Sequence, residues 1–165
     1  KLILRKKNRQ LSQLYIHDSL TGLYNRMAYE KLALPVFNQY MKNKKPVGIM
    51  FIDADHLKYI NDNFGHDMGN LAISSIASVI RQHCPDNSVS MRYGGDEFLL
   101  LFPKMSENDM AEKNKRIKEA VANIVYTEYP TLHLSVSIGG VCGVHPIMEA
   151  IRQADKQMYE NKRTS

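Results

Sequence analysis

Two short acidic segments are the places where this sequence could do chemistry. Asp53-Ala54-Asp55 closes the apolar run that begins at Val47, and Asp96-Glu97 follows Gly94-Gly95 between two further apolar runs. Acids after strands commonly cap turns and face solvent, so a purely structural role is one alternative. Two such clusters on neighbouring strands would, however, lie close enough to repel unless a cation separates them. Oxygen ligands of this kind suit Mg²⁺, which keeps several waters and bridges to substrate phosphates. The paired glycines add to this. Without side chains, Gly94 and Gly95 let the backbone press against a ligand, the alternative being a tight turn and nothing more.

Other machinery is missing. There is no GxxxxGK[ST] loop, no strand-borne GxGxxG and no HRD-type catalytic loop. The two cysteines, Cys84 and Cys142, lack partners at metal-ligand spacing and read as reduced thiols. The net charge is +5, but Lys1, Arg5, Lys6, Lys7 and Arg9 place five positive charges in the first nine residues. The remainder is close to neutral, which argues against a nucleic-acid-binding face. The basic block reads as the solvated side of a helix, or as a segment beside an anionic membrane surface. No apolar run reaches the ~18 residues of a membrane span. Neither a secretory signal nor an initiating Met is present, and the expectation is a segment of something longer.

The elements that must position these acids follow from periodicity. Leu4, Leu11 and Leu14 give residues 1–16 a narrow apolar stripe, the pattern of a short linker helix or coiled coil. Residues 17–165 then form one domain. A helix is expected from about Asn25 to Lys42, interrupted at Pro35. Val47–Ile52 reads as a buried central strand delivering Asp53 at its end. A short helix over 56–62 follows, with Gly65 and Gly69 as breakers before a helix from Leu71 to His83. Ser88–Tyr93 and Phe98–Phe102 flank the glycine pair as a hairpin, with the glycines expected at φ > 0. A helix from Ser106 to about Val125, a strand over Leu132–Ile138 ending at Gly139-Gly140, and a last helix after Pro146 complete the chain. The order β-α-α-β-β-α-β-α predicts an α+β fold: an antiparallel-containing sheet with helices on its faces.

Arg92-Tyr93-Gly94-Gly95-Asp96-Glu97-Phe98 resembles the signature of the GGDEF family, the diguanylate cyclases. Four further segments match in order: Asp18-Ser19-Leu20-Thr21-Gly22-Leu23-Tyr24-Asn25-Arg26; Phe51 to Asp55 with Lys58, Asn61, Asp62, Gly65 and His66; Ser137-Ile138-Gly139-Gly140; and Ala154 to Tyr159. The resemblance covers about Asp18 to Lys162. It implies a fold like the palm of nucleotidyl cyclases and polymerases, and an enzyme joining two GTP molecules into cyclic di-GMP with release of pyrophosphate. It further implies that Asp53, the Ala54 carbonyl and Asp96 hold Mg²⁺ or Mn²⁺. Asp96 would accept the proton, with Glu97 beside it as a second acid. Gly94 and Gly95 would line the substrate, Lys58 and Lys156 would neutralise the triphosphate, and Asn61 would read the guanine edge. One GTP per domain makes a homodimer the catalytic unit. The implied location is cytoplasmic, with any membrane attachment through a region preceding Lys1.

Two departures stand out. The family's second guanine-reading position is usually Asp, whereas this chain has Gly65-His66-Asp67-Met68-Gly69-Asn70. A carboxylate accepts from both N1–H and N2–H of guanine, but an amide offers one acceptor and one donor. The same amide suits the adenine edge. Three outcomes stay open: a cyclase tolerant of the change, one that also accepts ATP, or a weakened domain that only binds nucleotide. The second departure is regulatory. Where many relatives carry an Arg-x-x-Asp product-inhibition site, this chain has Pro85-Asp86-Asn87-Ser88, so no inhibitory product site is expected.

Overall fold

The computed structural model describes residues 3–7, 15–143 and 146–163. Residues 3–7 are helical, with Ile3 and Leu4 exposed. Leu11 and Leu14, which would continue the expected seam, lie outside the described residues.

Helix α1 (Arg26–Ala28) passes through a π-helical stretch (Tyr29–Ala33) into α2 (Leu34–Lys42). Pro35 does not break the run. It sits in the first turn of α2, where its missing N–H matters least, and the wider turn just before it absorbs the misfit. Next come β1 (Val47–Ala54), α3 (Leu57–Phe64), α4 (His66–Gln82), β2 (Val89–Arg92) and β3 (Glu97–Pro103). Helix α5 (Glu107–Ala122), β4 (Val136–Gly143) and α6 (Ile147–Arg163) complete the order expected from the sequence.

The four strands form one antiparallel sheet in the order β2-β3-β1-β4. Strand β1 is central and every one of its residues is buried, because helices cover both faces. Side-chain alternation divides its apolar residues between two cores. Met50 and Ile52 pack with Phe98, Leu100 and Ile138 against Ile73 and Ile76 of α4 and Ile117 of α5. Ile49 and Phe51 pack with Leu99 and Leu101 against Phe37 of α2 and Ile151, Ala154 and Met158 of α6.

Three local expectations are corrected. Gly69 does not break a helix; it lies inside α4, which starts five residues earlier than periodicity placed it. Gly65 is the break, ending α3 and opening α4 at φ 92°. Strand β4 starts four residues later than expected and runs through Gly139-Gly140 instead of stopping there. A Cβ on Gly139 would sit 2.0 Å from the Ala154 carbonyl oxygen and 2.4 Å from the Met158 amide nitrogen. The glycine therefore marks where α6 presses its backbone onto the sheet, a role that resembles a turn signal in sequence. Finally, Gly94 and Gly95 make the hairpin without adopting positive φ.

Candidate active site

The end of the sheet holds both acidic segments. In the β1–β3 register Asp53 pairs with Glu97, and the Ala54 amide donates to the Asp96 carbonyl oxygen at 2.9 Å. The strand ends thus carry Asp53, Asp96 and Glu97 to one edge. The neighbouring acids of the first segment have opposite fates. Asp55 is buried with both carboxylate oxygens occupied, accepting from Ser137 Oγ at 2.6 Å and Ser135 Oγ at 2.7 Å. It ties β1 to β4 and is structural. Asp53 is also buried, and its Oδ2 pairs with the Lys162 ammonium at 2.6 Å. Its buried Oδ1 has no hydrogen-bond partner among the described residues.

The electrostatics single out the same residue. Burial pushes the Asp53 carboxyl up to about 6; Lys162 pulls against that, and the Asp96 carboxylate pushes with it. Glu97 is raised by burial, then by Asp96 and Asp155, against the pull of Arg26 and Lys162. Burial works against the Lys162 ammonium, but Asp53, Asp96 and Asp55 outweigh it and raise its pKa.

The hairpin is held by a clamp. Arg92 donates to the Gly95 carbonyl through Nε at 3.2 Å and Nη2 at 2.7 Å, and its Nη1 pairs with Asp18 at 3.3 Å. Asp18 in turn accepts from the Thr21 amide and hydroxyl, each at 2.8 Å. Burial raises the Asp18 carboxyl, yet these hydrogen bonds and Arg92 outweigh it and leave it below the usual carboxylate range. The opening turn also lies along β2, with the Tyr24 amide donating to the Ser90 carbonyl and the Arg92 amide to the Tyr24 carbonyl. A Cβ on Gly94 would approach Glu97 Oε1 at 3.1 Å, whereas one on Gly95 would meet nothing within 4 Å. The hairpin tip therefore faces open space, as a surface that presses on a ligand must. Arg26 stacks 4.3 Å from the Tyr93 ring centroid beside this edge.

The other sequence candidates lie around this centre. Asn61 lies on α3 and Asn70 on α4, and Asn61 reaches the residue before Asn70: a Cβ on Gly69 would fall 1.8 Å from Asn61 Oδ1. Asn61 is half-buried and Asn70 exposed. Lys58 and Lys156 are both exposed. The lysine that meets the acids is Lys162, which the sequence analysis did not single out. Its signal was present: counting from Ala154 and Met158, it falls on the sheet-facing stripe of α6, and Lys156 does not. Asp18 and Arg92 were visible as motif residues, but only the fold joins them.

The donor set fits a hard divalent cation. Among the described residues no group of three or more His, Cys, Asp or Glu side chains converges as a ready-made cage. Asp53, whose buried Oδ1 has no hydrogen-bond partner among the described residues, and Asp96, which acts on its charge, offer oxygen donors of the kind that suits Mg²⁺ completed by water and substrate phosphates.

Comparison with known proteins identifies the family. Residues 15–165 match the family described as "Diguanylate cyclase, GGDEF domain". The "Probable diguanylate cyclase DgcC" of Escherichia coli strain K12 is 28% identical over 164 residues, covering 97% of this chain and 44% of that protein. The "Bifunctional diguanylate cyclase/cyclic di-GMP phosphodiesterase MucR" of Pseudomonas aeruginosa is 31% identical, over 96% of this chain and 24% of that protein. The chain thus spans less than half the length of these relatives. Among solved structures, the coiled coil and GGDEF domain of DgcB from Caulobacter crescentus superposes with a TM-score of 0.91 at 25% identity, covering 98% of this chain and 88% of that one. With the acidic edge, the glycine hairpin and the family match all falling on one stretch of sequence, the chain belongs to the GGDEF-domain family of diguanylate cyclases.

Proposed function

We propose that this domain condenses two GTP molecules into cyclic di-GMP, releasing pyrophosphate, with two domains of a homodimer each presenting one GTP. The observation that carries the proposal is the buried, unpartnered Asp53 Oδ1 beside Asp96, at the lip of a hairpin whose Gly95 faces open space. The DgcB relative, described in complex with c-di-GMP, supports the same ligand class.

In this reading Asp53, the Ala54 carbonyl and Asp96 hold Mg²⁺ or Mn²⁺, which when bound neutralises phosphate charge and acidifies the attacking 3′-hydroxyl. The chain's own part is to orient and to move protons. Gly94 and Gly95 let the backbone approach the phosphates, and Lys58, Lys156 and Lys162 offset their charge. Asp96 accepts the 3′-hydroxyl proton, and Glu97 is the adjacent second acid. The raised Glu97 favours proton uptake closer to neutral pH. Asn61 and Asn70 read the guanine edge. GTP is a cytoplasmic substrate, so the domain is placed on that side of the membrane. Among the described residues, no helix is long and apolar enough to cross one.

The test is product identity. Concentrated protein is incubated with Mg²⁺ and GTP, ATP or both, and products are separated with mass detection. Cyclic di-GMP from GTP is expected. Bound nucleotide with no product at any protein concentration would sink the cyclase proposal and leave a binding module.

The amide at Asn70, beside the Gly69 that Asn61 touches, supports a second reading, in which nucleotide selectivity is relaxed. An unmet guanine donor costs about 1–3 kcal/mol, so Asn70→Asp should raise the GTP/ATP ratio of kcat/KM roughly 5–150-fold. An unchanged ratio would show that Asn70 is merely tolerated.

A further inference from the structure

Helix α3 presents different residues on two sides. Lys58 and Asn61, three residues apart, share one side, and Ile60 and Phe64, four apart, share another. Against the second side lies the chain that leads into β4, and the two enclose a cleft of about 500 Å³. Ile60 and Leu132 are buried at its floor, and His56, Tyr59, Thr131 and His133 stand exposed at its rim. Local bonds hold the walls in place. The Tyr126 hydroxyl donates to Ser75 Oγ of α4 at 2.7 Å, and two turns follow, from the Tyr129 amide to the Tyr126 carbonyl at 3.1 Å and from the Leu132 amide to the Tyr129 carbonyl at 3.0 Å. The Phe64 ring meets Tyr129 edge-on, with centroids 5.2 Å apart, and Tyr59 edge-on at 6.4 Å. Tyr59 still leaves 59% of its surface to solvent.

Among the described residues that line the cleft there is no lysine, arginine, aspartate or glutamate. Two imidazoles and two hydroxyls converge over the apolar floor, and groups of both kinds donate or accept. That composition and volume are those of a small-molecule site. A fully charged ligand would lose hydration here without a permanent counter-charge.

We infer that this cleft is a second ligand site, for an uncharged fused-ring aromatic molecule with hydrogen-bonding substituents, and that it is coupled to nucleotide binding through α3. The rings pack on Ile60, Leu132 and Tyr59, and the substituents meet the imidazoles and the Thr131 hydroxyl. The coupling rests on the proposed function, which sets Lys58 and Asn61 against the nucleotide. His56, left-handed at φ 58°, is the residue through which α3 turns away from β1. A molecule held between His56 and residues 131–133 therefore fixes the helix that carries both nucleotide contacts. Each ligand changes the affinity for the other by the same factor.

The test uses 2-naphthol as the probe, titrated into the ¹⁵N-labelled 165-residue chain and followed by amide chemical shifts. Saturable shifts confined to residues 56–64 and 126–133 are expected, with a dissociation constant below about 1 mM. Tyr59→Ala removes a wall and Thr131→Trp fills the cleft, and each should weaken binding about tenfold. Should one variant lose its dispersed spectrum, the other decides. Naphthalene-2-sulfonate, with the same rings and a charge, should bind more weakly than 2-naphthol. A saturating non-hydrolysable GTP analogue should leave 2-naphthol bound and change its affinity at least about twofold. Scattered or non-saturating shifts, undiminished binding by the folded variants, or tighter binding of the sulfonate would each overturn the site. Competitive displacement by the analogue would place the probe among the nucleotide contacts and overturn it too, and an unchanged affinity would overturn the coupling. None of these readouts needs turnover, so a failure of the cyclase proposal, assayed by product formation, is seen separately.

Discussion

At the scale of single residues, the most informative contrast is between Asp53 and Asp55, two buried acids separated by one alanine. Asp55 spends both oxygens on serines of the β4 region and stabilises the sheet. Asp53 leaves one oxygen unmet, and its carboxyl sits near 6 instead of the ordinary 3.8. Between those values the folded protein holds a proton that the unfolded chain has released. The contribution of this group to stability therefore falls as pH rises through that window and stands as a cost at neutral pH. On the proposed metal assignment, a divalent ion removes the cost only where Asp53 is ionised. Mn²⁺ should accordingly raise the melting temperature more at pH 7.5 than at pH 5, with its affinity falling about tenfold per unit below pH 6. Thermal melts at the two pH values check this, and equal Mn²⁺ shifts would count against Asp53 as a ligand. Asp53→Asn should lose the shift at both pH values and reduce cyclase activity by roughly 100-fold or more.

At the scale of elements, two glycines do different work that a sequence displays identically. A methyl on Gly139 meets backbone of α6, which cannot step aside, whereas one on Gly69 meets the far end of the Asn61 side chain, which can. Gly139→Ala should cost about 1–3 kcal/mol of stability, seen as a lower denaturant midpoint. Gly69→Ala should leave the midpoint nearly unchanged and instead raise the KM for GTP by displacing Asn61. The reverse pattern would refute this assignment of roles. The same pair explains how far the sequence could be read. Apolar periodicity revealed the central strand, the hairpin and the order of all later elements, because burial on two faces imposes a pattern. It misplaced the ends of α4 and β4, because a glycine needed for close approach looks like a glycine needed for a turn. That Asp53, Asp96, Glu97 and the hairpin meet on neighbouring strands was legible in the sequence. Lys162 was not, since a lone lysine on the apolar stripe of an amphipathic helix gains meaning only when the helix is docked.

At the scale of the whole molecule, one edge of one sheet carries the candidate chemistry, and on the proposed function the product has two halves. On that reading a single domain presenting one nucleotide does not complete the second bond, so specific activity should rise with protein concentration until the dimer dominates. The Pro85–Ser88 turn closes on itself, the Ser88 amide donating to the Pro85 carbonyl at 2.9 Å, and carries no arginine–aspartate pair. Added cyclic di-GMP should therefore leave initial rates nearly unchanged. Initial rates across protein concentration, with and without added product, test both statements. A concentration-independent rate, or strong inhibition, would contradict one or the other.

The ion pair between Asp53 and Lys162 joins residues 109 positions apart, and the clamp from Asp18 to Arg92 spans 74. During synthesis the chain emerges from its N-terminus, so the acids exist long before the lysine that counters them. Strand β1 must also wait for β4 to be paired on its second side. A polypeptide cut short before α6 therefore carries every residue of the hairpin signature yet lacks the lysine that meets Asp53. On the proposed function, such a fragment would release no second messenger.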